Sequence, residues 1–374
     1  MIKTVVVKKF SERNREKMND LLWSIDPGDK RPGTWWWWFW IFFMENKDNP
    51  SKPKQLMVLW STKNEREIKC NNLSLKLDNE IRVGGKKSVF DGVVAAWYFD
   101  GEKMHEDFVL EQCNIELNKK PYSLVSNSKN KTCFYEKDCG FAVQVNKGKK
   151  EFAFNSSFGS EEATQPTLSK HSYLNGVFEH KVLRASRLNL DGYIKTGGVK
   201  EKVRGTSYFQ KVVINTPAFP WYWGIFHFSD GSVLSYFNPH FGTAMLKDNL
   251  FKWLISEGNV SLKKGIYFFN KKTGQTHLFN IIQIKRKTRG ALPSFKVSGK
   301  NEESKISFTV NCYSSATWKF EKKFLGLTRM RLKYNEYPAT ITSFNLQDSQ
   351  GKIVSLKELG TGVGNAEHTW GLLI

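Results

Sequence analysis

The run Trp35-Trp36-Trp37-Trp38-Phe39-Trp40-Ile41-Phe42-Phe43-Met44 constrains this chain most, because ten consecutive large apolar residues must be buried and their number limits how. As a helix at about 1.5 Å per residue the run covers roughly 15 Å, half of a hydrocarbon core about 30 Å thick. As a strand at about 3.3 Å per residue it reaches roughly 33 Å, and aromatic residues favour strands. A strand is therefore expected. Alternation puts Trp35, Trp37, Phe39, Ile41 and Phe43 on one face and Trp36, Trp38, Trp40, Phe42 and Met44 on the other, so neither face can be left in water. Two covers fit: a core packed on both sides, or a ligand cavity on one face and a second domain on the other.

The rest of the chain reads as all-β. Apart from one short helix expected over Ser11–Trp23, the apolar segments are short, β-branched or aromatic, and bounded by Gly, Asn, Asp or Lys. In Lys305–Cys312 the apolar residues fall at every second position, the pattern of a strand with one wet and one dry face. Hairpin turns are written at Asp100-Gly101, Asp230-Gly231 and Lys272-Thr273-Gly274. Successive hairpins make a meander, and a meander without exposed edges closes into a barrel. The chain of 374 residues has room for two cores. Each half carries an aromatic strand leading to an Asp-Gly turn, Ala96-Trp97-Tyr98-Phe99 and Trp221-Tyr222-Trp223-Gly224-Ile225-Phe226-His227-Phe228. Two lipocalin-like barrels are expected, over residues 1–200 and 201–374. The crossing is expected between Leu188 and Arg204, in the Gly-rich and Lys-rich stretch that starts at Asp191.

Lys and Arg number 57 against 36 Asp and Glu, a net charge of +21, but the lysines are dispersed rather than gathered into a run. The expectation is a solvated surface with a peripheral attraction to anionic membrane, and nucleic acid is not an expected partner. The densest cluster, Lys285, Arg286, Lys287 and Arg289, reads as a loop. Five cysteines with no repeated spacing encode neither a disulfide framework nor a zinc site, and Cys133 and Cys139 are expected in a surface loop. No signal-peptide pattern opens the chain, so a cytoplasmic protein is expected. No phosphate-binding glycine loop, serine elbow or metal spacing occurs, and no cofactor or metal is expected.

The segment Arg204-Gly205-Thr206-Ser207-Tyr208-Phe209-Gln210, followed by Trp221-Tyr222-Trp223-Gly224, resembles the Gly-x-Gly-Tyr-x-Asp…Trp-Gly signature of the hydroxyneurosporene synthases, or carotenoid 1,2-hydratases. Trp97-Tyr98-Phe99-Asp100 resembles an element of that family's N-terminal barrel, and Gly362–Gly371 its closing Gly-x-Gly-x-x-Glu strand. The family belongs to a tandem lipocalin-like (double calycin) superfamily with the AttH-like proteins, fungal survival factors and certain fungal Diels-Alderases. The resemblance implies a large apolar, isoprenoid or lipid-like ligand, bound among Trp97, Tyr98, Trp221, Trp223, Trp35 and Trp37. It also implies lyase-type chemistry around Tyr208 and the position of Gln210.

The departures bear on that chemistry. Ser207 stands for the second glycine and Gln210 for the acid. In the hydratases that acid is held to protonate an isolated double bond, which needs a dry proton donor, aromatic faces for the cation and a poised water. An amide has no such proton. A substitute would have to be Asp100, His227, His240 or Glu367. Bland readings stand beside the functional ones: Tyr208 as a core tyrosine, His227 as part of an ordinary barrel interior rather than a polar fixture of the pocket, Asp100 as a turn-former, His240 as a loop residue. Glu367 and His368, as neighbours on a strand, point to opposite faces and do not easily share a metal. Enzyme of the hydratase, cyclase or isomerase kind, non-catalytic lipid carrier, and basic surface-binding β protein all remain open. Without an acid at Gln210, hydration of an acyclic carotene is not expected.

Overall fold

The computed structural model describes residues 12–25, 31–77, 82–84, 86–137, 140–160, 165–173, 178–215, 218–241, 260–261, 264–324 and 328–373. Cys139 lies outside them. The tryptophan run is the strand Trp35–Met44, paired antiparallel on one side with Lys54–Lys63 and on the other with Val199–Asn215. From there the ladder runs through Lys87–Phe99, Met104–Lys119, Tyr122–Asn127, Thr132–Lys137, Gly140–Lys147 and Lys150–Ser157, and the last of these pairs with Phe178–Thr196, which returns to Val199–Asn215. The result is a closed antiparallel barrel of ten strands.

The barrel is filled by its own side chains. Trp36, Trp38, Trp40, Phe42 and Met44 point inward and join Trp60, Phe134, Phe141, Phe154 and Phe209 in one buried cluster. Ring centroids lie 4.6 Å apart for Trp40 and Phe209 and 4.7 Å for Phe42 and Phe154. The helix Glu12–Leu22 belongs to the same core through Met18 and Leu22, and the Leu22 carbonyl accepts the Trp38 indole N–H at 2.9 Å. A packed core is thus what the inner face of the run meets. The Gly205 of the motif serves this packing: a Cβ there would lie 1.9 Å from the Phe43 carbonyl oxygen on the neighbouring strand.

A second sheet runs in the order Gln275–Phe279, Gly265–Asn270, Val233–Phe241, Trp221–Phe228, Gly362–Leu372, Thr328–Asp348, Ser304–Cys312, Leu292–Lys300, Ile281–Arg289. It is not closed, which corrects the expectation of two barrels. Its end strands follow one another through Asn280 alone, yet no ladder joins them among the described residues. Side chains bridge the seam instead, with Asn301 donating to the Leu278 carbonyl at 2.8 Å and Lys264 to the Ile282 carbonyl at 3.3 Å. Two short strands from the first half, Glu67–Cys70 and Leu73–Lys76, extend this second sheet by pairing with Ala316–Phe324.

Three local expectations also change. The stretch from Asp191 to Arg204 is the Gly197-Gly198 hairpin of the barrel, with φ of 58° and 96°, and the chain leaves the first sheet only after Asn215. The cluster Lys285–Arg289 lies in a strand rather than a loop, because Ile282 and Ile284 turn inward while Gln283, Lys285 and Lys287 alternate outward. Cys133 is likewise a buried strand residue, its thiol pushed upward by burial.

The odd face of the tryptophan run meets the second sheet. Phe39, Ile41 and Phe43, with Met57, Trp97 and Tyr208, form a buried layer against Trp223, Ile225, Trp318 and Tyr334.

Candidate active site between the barrel and the second sheet

Within that layer lie two carboxyl groups. Glu336 on Thr328–Asp348 is directly opposite Glu367 on Gly362–Leu372 in antiparallel register, and both are buried. Like charges opposed across a ladder repel, and burial penalises both anions. Burial and the neighbouring Glu367 hold Glu336 well above the ordinary carboxylate range, and burial pushes Glu367 up to about 7. The pair is therefore a place where a proton is held at neutral pH, shared between two titrating groups.

Three aromatic donors fix the pair. The Trp97 indole donates to Glu336 Oε2 at 2.9 Å, the Trp221 indole to Glu367 Oε2 at 2.8 Å, and the Tyr334 hydroxyl to Glu367 Oε1 at 2.6 Å. Asn365 Nδ2 lies 3.4 Å from Glu336 Oε2. The positions follow from strand periodicity: Tyr334 and Glu336 on one strand and Asn365 and Glu367 on its neighbour all project from the same face of the sheet, and Trp223 is the register partner of Glu367. The two aromatic strands that echo each other in sequence end in this layer, one from each sheet, through Trp97 and through Trp221 and Trp223.

Tyr208 lies in the same layer, 5.3 Å from the Trp223 ring between centroids. Its hydroxyl donates to Gln210 Oε1 at 2.9 Å and also bonds Arg184. Burial pushes the phenol up to about 12, with Glu367 near enough to add to the shift. Gln210 thus acts as an acceptor for Tyr208, and the acidic proton lies across the layer on the glutamates.

The other expected residues divide. Trp35 and Trp37 are half-buried in the same layer but farther along the strand, opposite Ile214 and Val212, whereas Ile41 is opposite Tyr208. Trp35 donates to Ser61 Oγ at 2.6 Å and meets Phe320 edge-on. Tyr98 points the other way from Trp97, into the barrel, where it packs on Phe152 under Lys150, so it does not belong to the set. His227 is buried with both nitrogens engaged, Nδ1 at 2.7 Å from Thr206 Oγ1 and Nε2 at 2.7 Å from the Ser186 carbonyl. Burial, reinforced by Arg187, holds it well below the ordinary histidine value, so it is a neutral clamp between the sheets rather than an acid.

Asp100 is the turn-former of its hairpin. Although burial works upward, bonds from the Lys103 and Glu102 N–H groups and from His105 bring its carboxyl down to about 2, and an ionised carboxylate has no proton to give. His240 is buried in a strand rather than a loop, on the opposite face of the second sheet. Glu367 and His368 do face opposite sides, the former toward the barrel and the latter against Tyr222. Among the described residues no group of three or more His, Cys, Asp or Glu is arranged to hold a metal ion. No helix of the described residues is long and apolar enough to cross a membrane.

Sequence reasoning missed Glu336 and Tyr334. The signal was present as a charge in phase with Leu332 and Tyr334 on a dry strand face, but the surrounding Lys, Arg and Asn masked it.

No protein-family model matches the sequence, and no curated protein matches it either. Among solved structures, CghA with Sch210972 superposes with a TM-score of 0.52 at 7% identity, over 91% of this chain and 88% of that one. An AttH-like protein from Nitrosomonas europaea gives 0.48 at 11% identity over 98% of each chain. Kievitone hydratase from Nectria haematococca gives 0.42 at 12% identity over 94% of each. At this identity the likeness to CghA establishes shared fold alone. The chain shares with it the fold described above, a closed antiparallel barrel with a second, open sheet packed on it.

Proposed function

We propose that the layer between barrel and second sheet binds a large apolar, isoprenoid or lipid-like ligand and protonates it, as a hydratase, cyclase or isomerase without a cofactor. The observation that carries this reading is the buried pair Glu336 and Glu367, held by Trp97, Trp221 and Tyr334 and facing Tyr208. A neutral carboxyl in a dry layer gives its proton to a carbon of a double bond, and the cation left on the adjacent carbon is stabilised by the indole faces and the remaining carboxylate. Water attack followed by proton loss to that carboxylate gives hydration. Proton loss from a neighbouring carbon gives isomerisation, and attack by a second double bond gives cyclisation. The family's acid position is then vacated at Gln210 and its role is taken by the glutamates.

The kievitone hydratase and carotenoid-hydratase resemblances agree with this class of chemistry without fixing the substrate. The carrier reading draws on Gln210, whose Oε1 accepts the Tyr208 hydroxyl and which has no acidic proton. We read the protein as cytoplasmic, its dispersed lysines giving a peripheral attraction to anionic membrane.

The test is organic extraction of the purified protein, mass spectrometry of what is released, and incubation of that compound and of an acyclic carotene with the native protein and with Glu367→Gln and Glu336→Gln. Product formation that falls at least about a hundredfold in either variant supports the acid role. Recovery of the compound unchanged by native protein establishes the carrier instead.

A further inference from the structure

The face of the second sheet turned away from the barrel carries a second polar cluster, which the acid chemistry does not use. Tyr222 is stacked between two histidines, 4.6 Å from His368 at an interplanar angle of 8° and 5.1 Å from His240 at 22°. Phe295 and Trp370 complete the aromatic walls, the first 6.0 Å from Tyr222 and the second 4.8 Å from His368. Asn238 is the register partner of Tyr222, and Tyr236 lies over Gly224, where a Cβ would come within 2.5 Å of its ring.

Four side-chain atoms around Tyr222 are buried without a hydrogen-bond partner among the described residues: His240 Nε2, His368 Nδ1, Asn238 Oδ1 and the Tyr236 hydroxyl. Each belongs to a residue at least nine-tenths buried. A buried polar group left unsatisfied costs about 1–3 kcal/mol, so four together around one ring call for a partner. Their chemistry selects a ligand. His240 Nδ1 lies 3.0 Å from the Asn238 backbone carbonyl, which can only accept, so the ring proton sits on Nδ1 and Nε2 is an acceptor. Asn238 Oδ1 is an acceptor too. The missing partners of these two atoms are donors, and the Tyr236 hydroxyl has a proton of its own to donate. A cationic donor is disfavoured, since the Arg286 guanidinium and Lys333 Nζ lie over Trp370 at 5.5 and 4.8 Å and make the surroundings positive.

We propose that this face of the second sheet is a second binding site, for a neutral hydroxylated aromatic molecule of the phenol class, whose ring packs against the Phe295 and Trp370 walls, whose O–H donates to His240 Nε2 or Asn238 Oδ1 and whose oxygen accepts the Tyr236 hydroxyl proton. The site is distinct from the glutamate layer, because Tyr222 and His368 alternate with Trp221 and Glu367 on their strands.

The test is calorimetric titration of the whole protein with 2-naphthol and with 2-methylnaphthalene, which differ by a hydroxyl against a methyl. The expected result is 2-naphthol binding at least about tenfold more tightly, the worth of one buried hydrogen bond. His240→Phe, which keeps the stack, and Tyr236→Phe, which deletes one hydroxyl, should each shrink that preference at least about threefold. Glu367→Gln should leave it unchanged, which separates this site from the proposed acid site. Tyr236→Phe alone decides the matter if His240→Phe does not fold. No binding of 2-naphthol, equal binding of the two compounds, or a preference untouched by the variants would overturn the proposal and leave the four atoms to ordered water.

Discussion

The two faces of the tryptophan strand bury similar aromatic surface in opposite kinds of surroundings. The even face looks into a closed barrel where Trp40, Phe42, Phe134 and Phe209 pack ring on ring and the barrel wall supplies its own ladder. The odd face looks onto the second sheet, and there the apolar layer of Phe39, Ile41 and Tyr208 holds two glutamates, a clamped histidine and indoles turned so that their N–H groups meet carboxylates. One layer stabilises. The other gives up stability to keep titratable groups in a dry place.

The comparison is broken most forcibly in the barrel. Trp40→Ala removes an indole from a space its neighbours cannot collapse into and should cost about 3–5 kcal/mol, read as a lower denaturant midpoint at unchanged slope. A cost below about 1 kcal/mol would mean that the interior is not the packed core described above.

His227→Ala tests the join between the layers. It strands the Thr206 hydroxyl and the Ser186 carbonyl and should cost about 1–3 kcal/mol, while turnover per folded molecule stays as it was. A loss of turnover in fully folded protein would restore His227 as a catalytic group.

The glutamates should make stability depend on pH. Glu367 is raised from the ordinary 4.5 to about 7, so the folded state binds the extra proton, and its contribution is full below about pH 4.5 and lost as pH rises through about 7. His227, His240 and His368 are shifted down, chiefly by burial, so their contribution is present above 6.5 and lost as pH falls. The two sets oppose each other. Melting temperatures from pH 5 to 8 should show Glu367→Gln gaining on the native protein with rising pH, by on the order of 1–3 kcal/mol across the range. A difference that stays flat, or reverses, would remove the proton from the layer.

Asp100→Ala should matter least. Its carboxylate only closes a partly exposed turn, and the expected loss of stability is within about 1 kcal/mol, with no effect on chemistry in the glutamate layer. A large loss of turnover would return Asp100 to the list of acids.

Much of this was legible in the chain. Uninterrupted apolar length made the Trp35–Met44 strand with two covered faces, and Asp-Gly turns marked the hairpins, because these are local properties of residues and backbone. The alternation that separates Glu367 from His368 was equally local. Other features were not readable. Tyr98 was grouped with Trp97 although neighbours on a strand part company, and only the barrel's orientation says which of the two reaches the second sheet.

The sequence by itself determined the all-β class, the strand that must be buried twice and the absence of a carboxylate beside Tyr208. Tertiary structure alone decided that the first sheet closes and the second does not, because closure depends on whether edges far apart in the chain meet in register. It also decided where the two buried carboxyl groups meet. Glu336 and Glu367 stand 31 residues apart in the chain, and their shared proton exists only because a ladder sets them face to face under a layer of aromatic rings that excludes water.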